Sequence, residues 1–172
     1  MKGIVPKMAS PARDLYETDF YAWTQDQAAR LRALDGDNRF DVAHVAEEIE
    51  DLGKNRRDAL NSHARLALQH LVLLAASPAP EPRCRWAEEV ANHRDALRDL
   101  LDSSPSLAAK ADLDTAWRRG LRGASQKLDW YDEPKPALPH AAPCPLNLTD
   151  LTTEDLDIAQ ALERVRQVLG ES

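Results

Sequence analysis

Three histidines on two consecutive helical runs have the types and spacing that come nearest to a chemical site in this chain. His63 and His70 are seven residues apart, so after two helical turns their side chains stand nearly in line, with about 20° of drift. His93 lies on the apolar seam of the next run, with Glu89 one turn before it. Three imidazoles from adjacent antiparallel helices would bind zinc or nickel and leave a fourth position for water or substrate, provided that they met at one level. Counting the register argues against that meeting. His63 falls opposite His93, whereas His70 falls opposite Trp86, about 10 Å away along the axis at 1.5 Å per residue. This register allows His63 and His93 to touch, and the expected state is a polar core contact in which His93 or His63 donates to a backbone or carboxylate oxygen, with His70 packed on Trp86.

His44 offers another pairing, because Glu47 and Glu48 follow three and four positions later on the same helix face. Two-metal bundles repeat such a glutamate and histidine motif on further helices. Here a single copy occurs, in a first turn whose positive end disfavours a cation, so a surface histidine paired with glutamate is expected. His44, Glu47, His63, His70 and His93 are thus the candidate ligands should a divalent metal bind, and no other cofactor is expected. The sequence holds no phosphate-cradling glycine loop, nucleophile elbow, cysteine knuckle or zinc-protease motif.

The elements that must position these residues are helices. Leu and Ala dominate the apolar residues and β-branched and aromatic ones are few, which favours helix because unbranched side chains lose little rotamer freedom there. A chain of 172 residues is long enough to bury a core without disulfides or metal. Residues 1–13, with two prolines and no apolar period, read as a flexible arm. A first helix starts at Thr18 or Asp19, carries Phe20, Trp23, Leu31 and Leu34 on one side, and ends at Asp35 to Asn38, where Gly36 can turn left-handed. Asp41 then caps a helix from Val42, with Phe40 and Val45 placed as a hydrophobic staple. Val42, Val45, Ile49 and Leu52 form its seam. After Gly53 the seam resumes, offset by about a residue, as Leu60, Ala64, Ala67, Leu71 and Leu74, which implies a break or kink at the glycine.

Ser77 to Pro82 reads as an extended connector, followed by a helix with Trp86, Val90, His93, Leu97 and Leu100 in one stripe. Ser104 and Pro105 open the next helix, whose stripe is Leu107, Leu113, Trp117, Leu121, Ala124 and Leu128, weakened by Gly120 and Gly123. Residues 130–153 form a proline-rich strap. A last helix over 154–170 presents Ile158, Leu162, Val165 and Leu169, with Gly170 past its end. The expectation is an all-α, antiparallel up-down bundle of four main helices over 14–129, plus an additional C-terminal helix.

Two stretches, Phe20-Tyr21-Ala22-Trp23-Thr24-Gln25 and Ala46-Glu47-Glu48-Ile49-Glu50-Asp51-Leu52-Gly53, resemble the bacterial family called domain of unknown function 29 (DUF29). His70-Leu71-Val72-Leu73, then Trp86, Arg94, Asp99, Leu100, Leu101 and Ser104-Pro105-Ser106-Leu107, follow in that family's order. The resemblance implies an all-helical fold and carries no established activity. It is good from Asp14 to Leu107, fades over the next helix and returns faintly at Cys144-Pro145-Leu146. Two positions depart from the family pattern, Ala87 where an arginine is usual and His93 where a glutamine is usual, and the terminal helix looks like an addition.

A net charge of −7 opposes general affinity for nucleic acid, whose binding draws on counterion release from phosphates. A local patch would have to come from Arg83, Arg85, Arg94 and Arg98, or from Arg118, Arg119 and Arg122, and interleaved acids make the first set a mixed-charge face. Cys84 and Cys144 lack metal spacing and read as free thiols. No apolar run is long enough to cross a bilayer or direct secretion, so a cytoplasmic address is expected and membrane contact is not. The leading expectation is a non-enzymatic module that binds another protein or itself, through Glu47, Glu48, Glu50 and Asp51, through the Trp130-Tyr131 pair, or through Leu162 and Val165 on the terminal helix. Metal binding is the alternative, and nucleic-acid binding through an arginine patch comes third.

Overall fold

The computed structural model describes residues 11–34, 40–77, 80–130, 142–154 and 156–170, and these form helices and connecting turns without a strand. The longest element, α3 (Val42–Ala76), organises the rest. Its start is fixed as expected, with the Asp41 carboxylate accepting a hydrogen bond from the His44 N–H at 3.1 Å. Its last turns, from Leu71 to Ala75, are apolar on every side, and Leu71, Val72, Leu73 and Leu74 are all buried. A helix with no polar face must be surrounded. Packed on α3 are α2 (Phe20–Arg32), α4 (Pro80–Ser103), α5 (Leu113–Trp130) and α7 (Ile158–Leu169). Each leucine taken out of water there contributes about 1.5–3 kcal/mol.

Gly53 does not interrupt α3, which runs through it for 35 residues. It is buried because α2 crosses there: a Cβ at Gly53 would lie 2.4 Å from Thr24 Oγ1 and 3.0 Å from Gln25 Nε2. The glycine therefore marks close approach, not a helix end. The same crossing overturns the expected seam. Ala46 and Gly53, seven residues apart, are buried in this half, whereas Val45 and Leu52 are exposed. On α2 the buried positions are likewise small, Thr24 and Ala28, and Leu34 beyond its end is exposed. Small side chains let the two backbones close up, and the larger ones are turned outward.

Asp19 caps α2 by accepting from the Ala22 N–H at 2.9 Å. A further helix, α1 (Pro11–Thr18), precedes it, so Pro11 opens a helix instead of lying in an arm. Tyr16 of α1 packs edge-on against Phe20 and Trp23 of α2, with centroids 5.6 and 4.8 Å away. The expected terminator at Asp35 to Asn38 lies outside the described residues, and α2 ends at Arg32.

At the other end, Pro80 already belongs to α4, which shortens the connector expected over 77–82. Pro105–Lys110 forms a 3-10 turn before α5. Gly120 and Gly123 do not weaken α5 so much as seat it. A Cβ would lie 3.1 Å from the Arg65 carbonyl oxygen at Gly120 and 2.3 Å from Gln69 Oε1 at Gly123. Within the proline-rich region a short helix, α6 (Leu148–Thr152), is closed by a reciprocal Asn147 and Asp150 capping box. The terminal helix α7 starts at Ile158, capped by Asp157, four residues later than expected, and Gly170 closes it at φ 74°.

Candidate functional site

The histidines meet in a cleft between α3, α4 and α5. His63 Nδ1 lies 3.1 Å from His93 Nδ1, a contact the register allows, and the two rings face each other instead of a backbone or carboxylate oxygen. His70 does not stand apart: its ring stacks flat on His93, with centroids 5.9 Å apart and 5° between planes. The axial count compared Cα levels. Cα–Cβ bonds lean toward the N-terminus of their own helix, so in an antiparallel pair His70 and His93 lean toward one another. Lys127 of α5, which the sequence reading passed over, brings its Nζ to 3.1 Å from His70 Nε2. Glu89 stands 3.9 Å from His93 Nε2. His70, His93, Lys127 and Glu89, with Arg85 and Trp86, line a cavity of about 400 Å³, and His63 lies outside that lining.

The electrostatics of this cleft favour the neutral forms of His70 and His93. Burial, then the charge of Lys127 and the proximity of His93, push His70 down to about 4. Burial and His63 lower His93 in the same direction, and burial lowers Lys127. With the lysine donating to Nε2, the His70 proton sits on Nδ1, which is buried without a partner among the described residues. A base that holds its proton only near pH 4 is poorly matched to proton transfer near neutrality. The cleft is a polar core contact widened to three imidazoles and a lysine.

Among the described residues no three His, Cys, Asp or Glu side chains are disposed to hold a metal ion. The Nε2 lone pair of His70 faces an ammonium, and the nearest nitrogens of His63 and His93 face each other. His44 and Glu47 lie at the far end of α3, about 28 Å from His63 at 1.5 Å per residue. There His44 Nδ1 pairs with Asp41 at 2.5 Å, not with the glutamate expected, and is raised by that carboxylate.

The arginine patch on α4 is also taken apart by the fold. Arg83 donates to the carbonyl oxygens of Leu74 and Ser77, closing the end of α3 at 2.9 and 2.7 Å. Buried Arg94 donates to the carbonyls of Leu151, at 2.9 Å, and Thr153, tying α4 to the end of α6. Arg98 pairs with Asp95. Leu162 and Val165 are buried in the chain's own core, so they form no free partner face. Of the aromatic pair, Trp130 is 81% exposed, and Tyr131 lies outside the described residues. Cys144 is partly buried and its thiol is pushed up to about 11 by that burial, which leaves it inert near neutrality.

The sequence blocks that resemble a family prove to be fasteners. The Asp19 carboxylate accepts from Ala22 and also from the N–H and hydroxyl of Ser106, at 2.8 and 2.9 Å. Ser104 Oγ accepts from the Tyr21 N–H at 3.2 Å. Arg56 donates to Ser103 Oγ at 2.7 Å and lies over the Phe20 ring, 4.6 Å from its centroid. Tyr21 and Thr24 meet α3 at Gly53. These contacts pin the N-terminal hairpin, formed by α1, α2 and the first half of α3, to the turn after α4.

A helical bundle around one long central helix, fastened in this way, defines an all-α class of protein. The chain belongs to the family described as Domain of unknown function DUF29, whose sequence pattern matches residues 15–156 and so stops before α7. It is also similar to an α-helical protein of unknown function from Rhodospirillum rubrum, known from a crystal structure at 1.45 Å resolution. The two are 30% identical, the likeness covers 87% of this chain and 96% of the other, and the TM-score is 0.75. No curated protein matches the chain.

Proposed function

We propose that this protein is a non-enzymatic interaction module whose contact surface is the outer face of its N-terminal hairpin, with a second copy of the chain as the occupant. One observation carries the reading. Of the six large apolar side chains exposed among the described residues, five belong to this hairpin: Tyr16, Leu34, Phe40, Val45 and Leu52, between 40 and 54% exposed. Val45 and Leu52 are seven residues apart on α3 and share a face. Glu47, Glu48 and Asp51 are exposed around them, giving apolar anchors with an acidic rim, the usual anatomy of a contact patch. Glu50 is drawn to Arg32 at 2.5 Å and braces the hairpin.

The test compares wild type with Val45→Glu/Leu52→Glu by native mass spectrometry and sedimentation. An oligomer in the wild type and a folded monomer in the double variant are expected. A wild type that stays monomeric across the concentration range, or an oligomer indifferent to both substitutions, overturns the reading.

A further inference from the structure

Most arginines of the described chain are occupied. Arg30, Arg32, Arg57, Arg98 and Arg164 each face a carboxylate, Arg56 is held by Ser103, and Arg83 and Arg94 are held by carbonyls. Against that background Arg65 of α3 and Arg119 and Arg122 of α5 stand out. They line one open cavity of about 350 Å³ with Gly123 and Gln126, and none of them makes an ion pair or hydrogen bond among the described residues. In a chain whose net charge is −7, carboxylates are abundant, yet among the described residues none forms an ion pair with these three guanidiniums, although Asp112 lies within the electrostatic reach of Arg119.

Their gathering is built into the helix crossing. Gly120 and Gly123 let α5 lie close against the Arg65 to Gln69 turn of α3, where a Cβ at Gly120 would come within 3.1 Å of the Arg65 carbonyl oxygen and one at Gly123 would displace the Gln69 amide, and Arg119 and Arg122 flank those glycines. Like charges brought together in this way repel, and the repulsion is relieved by an anion that several planar donors can grip at once. Arg65 and Arg119 also border an adjoining cavity of about 420 Å³, whose walls include Asp58, Ser62 and Asp112. The groove is therefore basic at one end and rich in hydroxyl-bonding oxygens at the other.

We infer that this groove is a binding site for a small phosphorylated molecule, its phosphate held by Arg65, Arg119 and Arg122 and any hydroxyl-bearing remainder lying toward Asp58 and Ser62. The site is on the opposite end of α3 from the hairpin surface and stands independently of it. The ligand chemistry is a dianionic phosphate, from an inorganic or an organic source.

The experiment is calorimetric titration at low salt with two probes, inorganic pyrophosphate and ribose 5-phosphate, on wild type, Arg119→Gln/Arg122→Gln and Arg118→Gln/Arg166→Gln. The last variant removes the same charge outside the cavity, and circular dichroism checks that all three fold. Saturable binding of at least one probe is expected, weakened about tenfold or more in the first variant and within about twofold of wild type in the second, as loss of charge-assisted hydrogen bonds predicts. Tighter binding of the sugar phosphate marks an organic ligand, and of pyrophosphate an inorganic one. Absence of binding by both, equal weakening in the two variants, or binding of a single-stranded oligonucleotide alone overturns the inference.

Discussion

The two halves of α3 make opposite use of the same helix. From Leu60 to Ala75 the large apolar side chains of Leu60, Leu68, Leu71, Val72, Leu73 and Leu74 are buried, covered by α4, α5 and α7. From Val42 to Gly53 the inward positions are Ala46 and Gly53, and Val45 and Leu52 face solvent. Burial of leucines stabilises one half. Close backbone approach, caps and cross-links through Asp19 and Ser104 hold the other. A protein built this way keeps its core at one end and offers apolar surface at the other without exposing that core.

The largest expected effect comes from breaking the buried half. Leu71→Ala should cost about 2–5 kcal/mol, because a fully buried leucine leaves a cavity in a surrounded helix; denaturant unfolding measures it. The hairpin substitutions Val45→Glu and Leu52→Glu should each change monomer stability by no more than about 0.5 kcal/mol, as exposed positions do. A comparable loss at both ends would erase the contrast.

A smaller effect sharpens it through pH. His70 is held neutral, with its folded value pushed down to about 4 from an ordinary 6.5. The unfolded chain therefore binds the proton more readily between those values, so the contribution of His70 is fully present above about 6.5 and is lost as pH falls toward 4. His93 acts in the same direction. Lys127, Glu89 and Arg85 are the charged groups around the pair. His70→Gln should make stability less dependent on pH across that window, and a slope identical to wild type in parallel unfolding curves would deny the imidazole this role.

Much of this architecture can be read from the residues. The Asp41 and Asp19 caps, the stripe Leu60, Ala64, Ala67, Leu71 and Leu74 and the Gly170 terminator all follow from local rules, and the antiparallel register allows the contact between His63 and His93. The errors share a cause. Gly53, Gly120 and Gly123 read as weaknesses because propensity describes a helix alone, whereas here each serves a neighbouring helix. The exposed Val45 and Leu52 read as a seam because periodicity locates an apolar face without saying what covers it. Lys127 was missed as a lone charge on a helix read for its apolar stripe, and Arg65 because its partners Arg119 and Arg122 are more than fifty residues away. Arg83 and Arg94 looked like a patch because sequence shows charges and not the carbonyls that occupy them.

The most direct test of the account is hydrogen exchange by mass spectrometry on the full chain, followed from dilute to concentrated solution. Peptides from residues 67–76 should exchange at the rate of global unfolding throughout. Peptides from residues 42–56 should exchange sooner in dilute solution and gain protection as copies assemble. Protection gained in residues 158–169 instead, or in neither region, would contradict the assignment of the N-terminal hairpin as the contact surface.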